Sequence, residues 1–262
     1  MAHDHHDSEQ TVNNHGRNPP KGYTDSGSHA LPGGLTVATN GLLLKPSETR
    51  IDPEKTREWA YQIHDEEGNV VSEFEETHDQ LAHLILVRRD LTRFQHLHPT
   101  LADDGTWSVE FTLPDPGVYR AFVDIRVDGQ PTTLGVDLLS SGPAQYDAHP
   151  RPMHETEAMG YEVELTPEKV PPGETISIEF EVRQDGHAAY LESYLGALGH
   201  LVALRDGDLA YLHVHPKETD PEDGIIRFAV QFPTAGRYRL FLQAKPAGEL
   251  ITTSFDVYSE ER

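Results

Sequence analysis

The chain has 262 residues, 44 acidic against 21 basic, a formal net charge of −23 and no cysteine. That charge repels nucleic acid and anionic membrane surfaces, and the lack of cysteine removes disulfides, thiolate metal sites and redox motifs. The length suits two ordinary domains, and no run approaches the ~18 consecutive apolar residues of a membrane helix. Residues 1–34 hold no apolar signal-peptide core. The chain as it stands reads as soluble, and as extracytoplasmic if a leader or anchor has been removed.

Residues 1–34 are polar and rich in Gly, Pro, Ser and Asn, a composition predicted to be disordered. They hold His3, His5, His6, His15 and His29. Met1-Ala2-His3 offers an amine, two backbone nitrogens and an imidazole in a square plane, which Cu(II) and Ni(II) favour. From Leu35 to residue 140 the pattern becomes short apolar runs broken by turn residues. Trp59, Tyr61 and Ile63 alternate with Ala60 and Gln62, and Glu67-Gly68-Asn69 reads as a turn. Leu84–Val87 is a buried run, Trp107 to Leu113 alternates, and Pro114–Gly117 turns into Val118–Ile125. With Leu134–Leu139 this makes about seven short strands and no convincing helix, an immunoglobulin-like β-sandwich.

Residues 141–157 read as a Pro-rich linker, and residues 158–262 repeat the first pattern. Gly117/Gly236, Tyr119/Tyr238, Arg120/Arg239, Phe122/Phe241 and Asp137/Asp256 all match at an offset of 119. This is an internal duplication, giving two tandem sandwiches. The Gly-x-Tyr after each turn resembles a tyrosine corner, a structural role for Tyr119 and Tyr238.

Each copy carries the same histidine pattern. His83 precedes His96-Leu97-His98-Pro99, and His200 precedes His213-Val214-His215-Pro216, with twelve residues between the first and second His in both. Residues 83–99 and 200–216 agree at six of seventeen positions, and all three His are among the six. On a strand, residues i and i+2 share a face. A hairpin turn at Arg89-Asp90 sets His83 opposite His96, and a turn one residue later sets it opposite His98. The first register is the expected one, because it puts the second turn on Asp206-Gly207, a strong hairpin signal. Three convergent imidazoles suit Cu(II) first, with Zn(II) or Ni(II) as alternatives, and disfavour Cu(I). A fourth position falls to water, Glu75, Glu192, or His78 in the first copy. The plain alternative is that strand histidines are satisfied polar residues copied by descent. His64 and His187 lack counterparts and read as structural, and His149, Met153 and His154 as solvated linker.

With these motifs in view, the stretch YLGALGHLVALRDGDLAYLHVHP and the HxHP elements resemble the heavy-metal-binding-domain proteins of actinobacteria and related groups. More distantly the chain is similar to periplasmic copper-resistance β-sandwich proteins. The first resemblance covers most of residues 31–258. It implies tandem immunoglobulin-like domains, an extracytoplasmic and often anchored protein, and partners among metal transporters or copper-handling proteins.

Three functions compete. The first is a Cu(II)-binding buffer, delivery or resistance factor, with one ion on His83, His96 and His98 and another on His200, His213 and His215, and no turnover. The second is a three-His metalloenzyme, zinc or cupin-like, drawing a carboxylate from Asp103, Glu218 or Asp220. Against it, the cupin's later His is replaced by Tyr119 and Tyr238, and no general base is evident. The third is a structural or adhesion tandem without metal.

Overall fold

The computed structural model describes residues 32–146, 153–212 and 214–260. The five tail histidines, His149 and His213 lie outside the described residues. The first sandwich comprises β1 (Ala38–Thr39), β2 (Leu42–Pro46), β3 (Arg50–Ile51), β4 (Arg57–His64), β5 (Ala82–Arg88), β6 (Gln95–Leu97), β7 (Thr100–Leu101), β8 (Thr106–Phe111), β9 (Gly117–Val127) and β10 (Gln130–Ser140). The second comprises β11 (Glu155–Ala158), β12 (Tyr161–Thr166), β13 (Lys169–Val170), β14 (Thr175–Gln184), β15 (His187–Ala188), β16 (Leu191–Glu192), β17 (Gly199–Arg205), β18 (Tyr211–Leu212), β19 (His215–Lys217), β20 (Ile225–Gln231), β21 (Gly236–Pro246) and β22 (Ile251–Ser259). The only helical piece among the described residues is a 3-10 turn at Pro221–Asp223.

The two sandwiches share one topology. The first pairs β1-β2-β4-β8-β7 against β3-β10-β9-β5-β6, and the second pairs β11-β12-β14-β20-β19 against β13-β22-β21-β17-β18. Alternation drives the layers together. Trp59, Tyr61 and Ile63 on β4, with Trp107 beside them on β8, pack with Leu84 and Leu86 of the facing sheet in one core, and Ile178, Phe180 and Val182 on β14 serve the other. The Tyr119 hydroxyl donates to the Asp115 carbonyl at 3.1 Å and the Tyr238 hydroxyl to the Thr234 carbonyl at 2.9 Å, so both tyrosine corners are present.

Strands β5 and β17 are buried on both faces. Leu84 and Leu86 enter the first core and Leu201 and Ala203 the second, while Ile85, Val87, Val202 and Leu204 meet in a third cluster between the sandwiches. In that seam Phe94 stacks on Phe241 at 4.3 Å, and Phe122 meets Tyr211 at 5.5 Å. Each pair is the other's image under exchange of the two copies. The seam is therefore an isologous interface within one chain.

Two boundaries differ from the sequence reading. Residues 33 and 34, assigned to the tail, strap the seam. The Gly33 carbonyl accepts from the Tyr211 amide at 3.0 Å, and the Gly34 carbonyl accepts from the Arg120 guanidinium at 2.6 Å. Gly34 has φ +72, and a Cβ there would meet Phe122 at 2.3 Å. Residues 155–157, assigned to the linker, form part of edge strand β11, whose Glu157 pairs with Glu162 on β12.

Val202 serves only the seam, whereas Leu201 serves the second core. Burying an unpaired charge costs several kcal/mol. Calorimetry of Val202→Asp is expected to resolve two transitions where the parent chain shows one. Leu201→Asp is expected to unfold the second sandwich outright. A single unchanged transition for Val202→Asp would mean the seam does not couple the domains.

Candidate metal centre

The period of two that sends Leu84 and Leu86 inward sends His83, Ile85 and Val87 to the seam. The same parity on β17 aims His200 with Val202 and Leu204. His83 and His200 therefore face one another across the seam. The His83 and His200 rings lie 5.4 Å apart at 19° between planes.

The β5–β6 register pairs Ile85 with His96 and Leu84 with Leu97, and its continuation sets His83 opposite His98. The second hairpin pairs Ala203 with Leu212 and Leu204 with Tyr211, and His215 lies beyond it on β19, paired with Ala229 in the other sheet. The expected Arg89-Asp90 and Asp206-Gly207 two-residue turns are thus replaced by wider loops. The reason is burial: Leu91 (φ 60) and Leu209 (φ 61) turn into the seam at 2% and 0% exposure. Asp90 also takes the Arg88 guanidinium at 2.7 Å, as Asp208 takes Arg205.

One imidazole cluster results. His83, His96 and His98 each offer a nitrogen within 4.8 Å of the others. Ring centroids separate His96 from His98 by 4.8 Å, His83 from His98 by 5.2 Å, and His96 from His200 by 4.6 Å. His78 stands 5.5 Å from His200 and 6.1 Å from His83. With metal–nitrogen bonds of about 2.05 Å, rings sharing an ion have centroids roughly 4.5–6.4 Å apart. These pairs fall in that range, and by ligand-atom position the three that converge as one group are His83, His96 and His98, with the His78 and His200 rings flanking it.

The outer ring nitrogens are occupied by oxygen acceptors. His83 Nε2 lies 2.9 Å from the Thr77 carbonyl and His96 Nδ1 lies 2.6 Å from Gln243 Oε1. Protons on those outer atoms leave His83 Nδ1 and His96 Nε2 as lone pairs facing each other at 2.9 Å. His98 Nε2 is buried without a hydrogen-bond partner. Burial holds His83 and His98 below the usual imidazole range, His200 well below it, and His96 down to about 3. Burial thus favours the neutral form of these four imidazoles, and neutral imidazole is the ligating form.

Two of these participants escaped the sequence reading. Gln243 pairs across strands with His200, and Asp124 pairs with His83, at the same place in each copy. Asp124 accepts from the Thr133 hydroxyl at 2.8 Å and Gln243 donates to the Thr252 hydroxyl at 3.2 Å. Their signal was positional: they stand 119 residues apart, five residues after the matched tyrosines. Of the suggested fourth ligands, His78 alone reaches the cluster. Glu75 caps the Gly129 amide at 2.6 Å, and Glu192 faces Lys245 at 3.5 Å. His215 is exposed, and among the described residues no metal-type group contains it together with His200; His213, the third member of that triplet, lies outside them. Asp220 caps the 3-10 turn and Glu218 lines a different cavity. His64 fills a structural role, its Nδ1 lying 2.9 Å from the Gly68 carbonyl.

Because folded-state proton affinity is depressed, the unfolded chain binds protons that the native chain refuses. Stability from these groups is present above about pH 6.5 and is lost as pH falls toward the folded values. The melting temperature of metal-free protein is expected to climb from about pH 4 to about pH 6.5 and then flatten. His96→Gln should reduce that slope, and an unchanged slope would show that the cluster is not buried neutral.

No curated protein is significantly similar to the chain. Among solved structures, Yersinia pseudotuberculosis InvD is 13% identical over 85% of this chain and 58% of its own, with a TM-score of 0.28. The chain thus spans little more than half of InvD. The Escherichia coli adhesin FdeC is 15% identical over 88% of this chain and 67% of its own, with a TM-score of 0.27. The titin Ig tandem A164-A165 is 12% identical over 84% and 97%, with a TM-score of 0.22. A family match covers residues 37–141 and again 156–261, so the chain belongs to the family described as Domain of unknown function DUF8832, of which it carries two copies.

Proposed function

We propose that the tandem binds one divalent transition-metal ion at a composite site in the seam, and serves in metal buffering, delivery or resistance. His83, His96 and His98 are its ligands from the first copy and His200 its ligand from the second. The observation that carries this reading is the pair of inner nitrogens, 2.9 Å apart, whose outer partners are both oxygen acceptors. Facing lone pairs repel unless a cation lies between them, and burial disfavours a proton there. Metal-bound histidines usually donate their other N–H to such an oxygen.

Cu(II) is the favoured ion. Convergent neutral imidazoles suit Cu(II) first, with Zn(II) and Ni(II) as alternatives. The absence of cysteine argues against Cu(I). A transporter or copper-handling protein is the partner this role calls for.

A structural role without metal is the second reading, and one observation favours it. If the Gln243 amide is turned over, its NH₂ donates to His96 Nδ1. His96 then donates to His83 and His83 to Thr77, which closes a neutral hydrogen-bond chain. The two readings differ in the His96 tautomer, Nδ1–H in the metal reading and Nε2–H in the structural one.

The deciding experiment uses the full chain with His3, His5, His6, His15 and His29 replaced by Gln. Cu(II) and Zn(II) titration is expected to give close to one equivalent, abolished by adding His83→Gln and His96→Gln. Nitrogen-15 NMR of the metal-free protein is expected to show the His96 Nδ1–H tautomer. No binding, with the Nε2–H tautomer, would establish the structural role.

A further inference from the structure

Two histidines stand apart from the buried four. His78 is the second residue of the tight turn Thr77–Gln80, closed by amide–carbonyl bonds of 2.8 and 3.2 Å. His78 and Asp79 both have positive φ, 51° and 60°. A non-glycine residue in the left-handed region is strained, so the turn that carries His78 is held at an energetic cost. The equivalent turn in the second copy, Tyr194–Ala197, carries Leu195 in that place (φ 54). His215 occupies the position matching His98, yet it is exposed where His98 Nε2 is buried. Duplication has left the two copies unequal at these two points.

Both residues line one cavity. It has a volume of about 480 Å³ and is walled by Thr77, His78, His83, Asp124, Val214 and His215. It leads from solvent to the flank of His83. A hydrated divalent cation cannot enter a buried site bare, because stripping its water costs far more than any single ligand returns. Its waters must be replaced stepwise. A cavity wall with two imidazoles and a carboxylate supplies that replacement, and the Arg126 guanidinium on the same wall is paired with Glu75 at 3.6 Å. His78 lies 6.1 Å from His83 and 5.5 Å from His200, close enough to share an ion with either.

We propose that His78 and His215 are transfer ligands. They capture the ion in the cavity and hand it to His83 and His200, and they are not needed to hold it afterwards. This inference rests on the metal-binding reading above. A group that lowers the barrier without altering either end state speeds uptake and removal equally and leaves the affinity alone.

The test uses the full chain with the five tail histidines replaced, and the same protein with His78→Asn and His215→Gln. Asparagine tolerates the left-handed turn. Cu(II) uptake is followed by stopped-flow, removal by excess EDTA, affinity by chelator competition and ligand set by electron paramagnetic resonance. Uptake and removal are both expected to slow by about tenfold or more, with the affinity within about threefold and an unchanged spectrum. Unchanged rates would overturn the inference, as would faster removal with weakened affinity, which would make the two residues resident ligands. If the protein with His78 and His215 intact takes up no Cu(II), the metal-binding reading falls and takes this inference with it. A melting temperature unchanged in the metal-free variant guards against misfolding.

Discussion

Burial of β5 and β17 on both faces is the constraint from which the rest follows. A strand in an isolated sandwich turns one face to its core and the other to water. Here Leu84 and Leu86 turn to the core, and Ile85 and Val87 turn to the other domain. Once the outer face is apolar, leaving it in water is unfavourable by roughly 1.5–3 kcal/mol for each large side chain, so the second sandwich must cover it. His83 and His200 share that parity. They are carried into the seam by the same alternation that packs their neighbours, and their burial follows from the seam's existence.

The site then combines two demands that usually conflict. Apolar packing excludes water, which lowers proton affinity and would leave polar atoms without partners. The outer ring nitrogens meet this by facing the Thr77 carbonyl and the Gln243 amide oxygen, one from each sandwich. Gln243 therefore does double duty: it pairs with His200 on the neighbouring strand and fixes the ring of His96 in the other domain. The inner nitrogens, His83 Nδ1 and His96 Nε2, are left facing each other at 2.9 Å.

Much of this was legible in the residues. Alternation at Trp59–Ile63 and the matched turns at Pro114–Gly117 and Pro233–Gly236 were enough for two sandwiches, and the two tyrosine corners followed from Gly-x-Tyr. The shared face of His83, His96 and His98 followed from parity, since either even register produces it. The register itself was misjudged. Asp206-Gly207 is a strong local turn signal, but burying Leu209 is worth more than the turn preference, and the loop widened to allow it. The meeting of His200 with the first histidine set was illegible for a different reason. Periodicity marks β5 as buried throughout but cannot say what covers its second face. Gln243 and Asp124 were hidden likewise, because an amide in one copy and a carboxylate in the other leave no repeated motif.

The seam's symmetry has a consequence for how such a site behaves in dilute solution. Phe94 on Phe241 and Phe122 on Tyr211 are the contacts a homodimer would make twice, and His83 against His200 lies where its two-fold axis would run. In a true dimer, ligands contributed by both halves would separate on dilution, and the apparent affinity would depend on protein concentration. In a single chain, encounter of the halves is intramolecular, at an effective concentration set by the connecting segment. Covalent fusion thus makes assembly of the histidine cluster a first-order property of one molecule, and it frees each half to change alone, as Asp124 and Gln243 have.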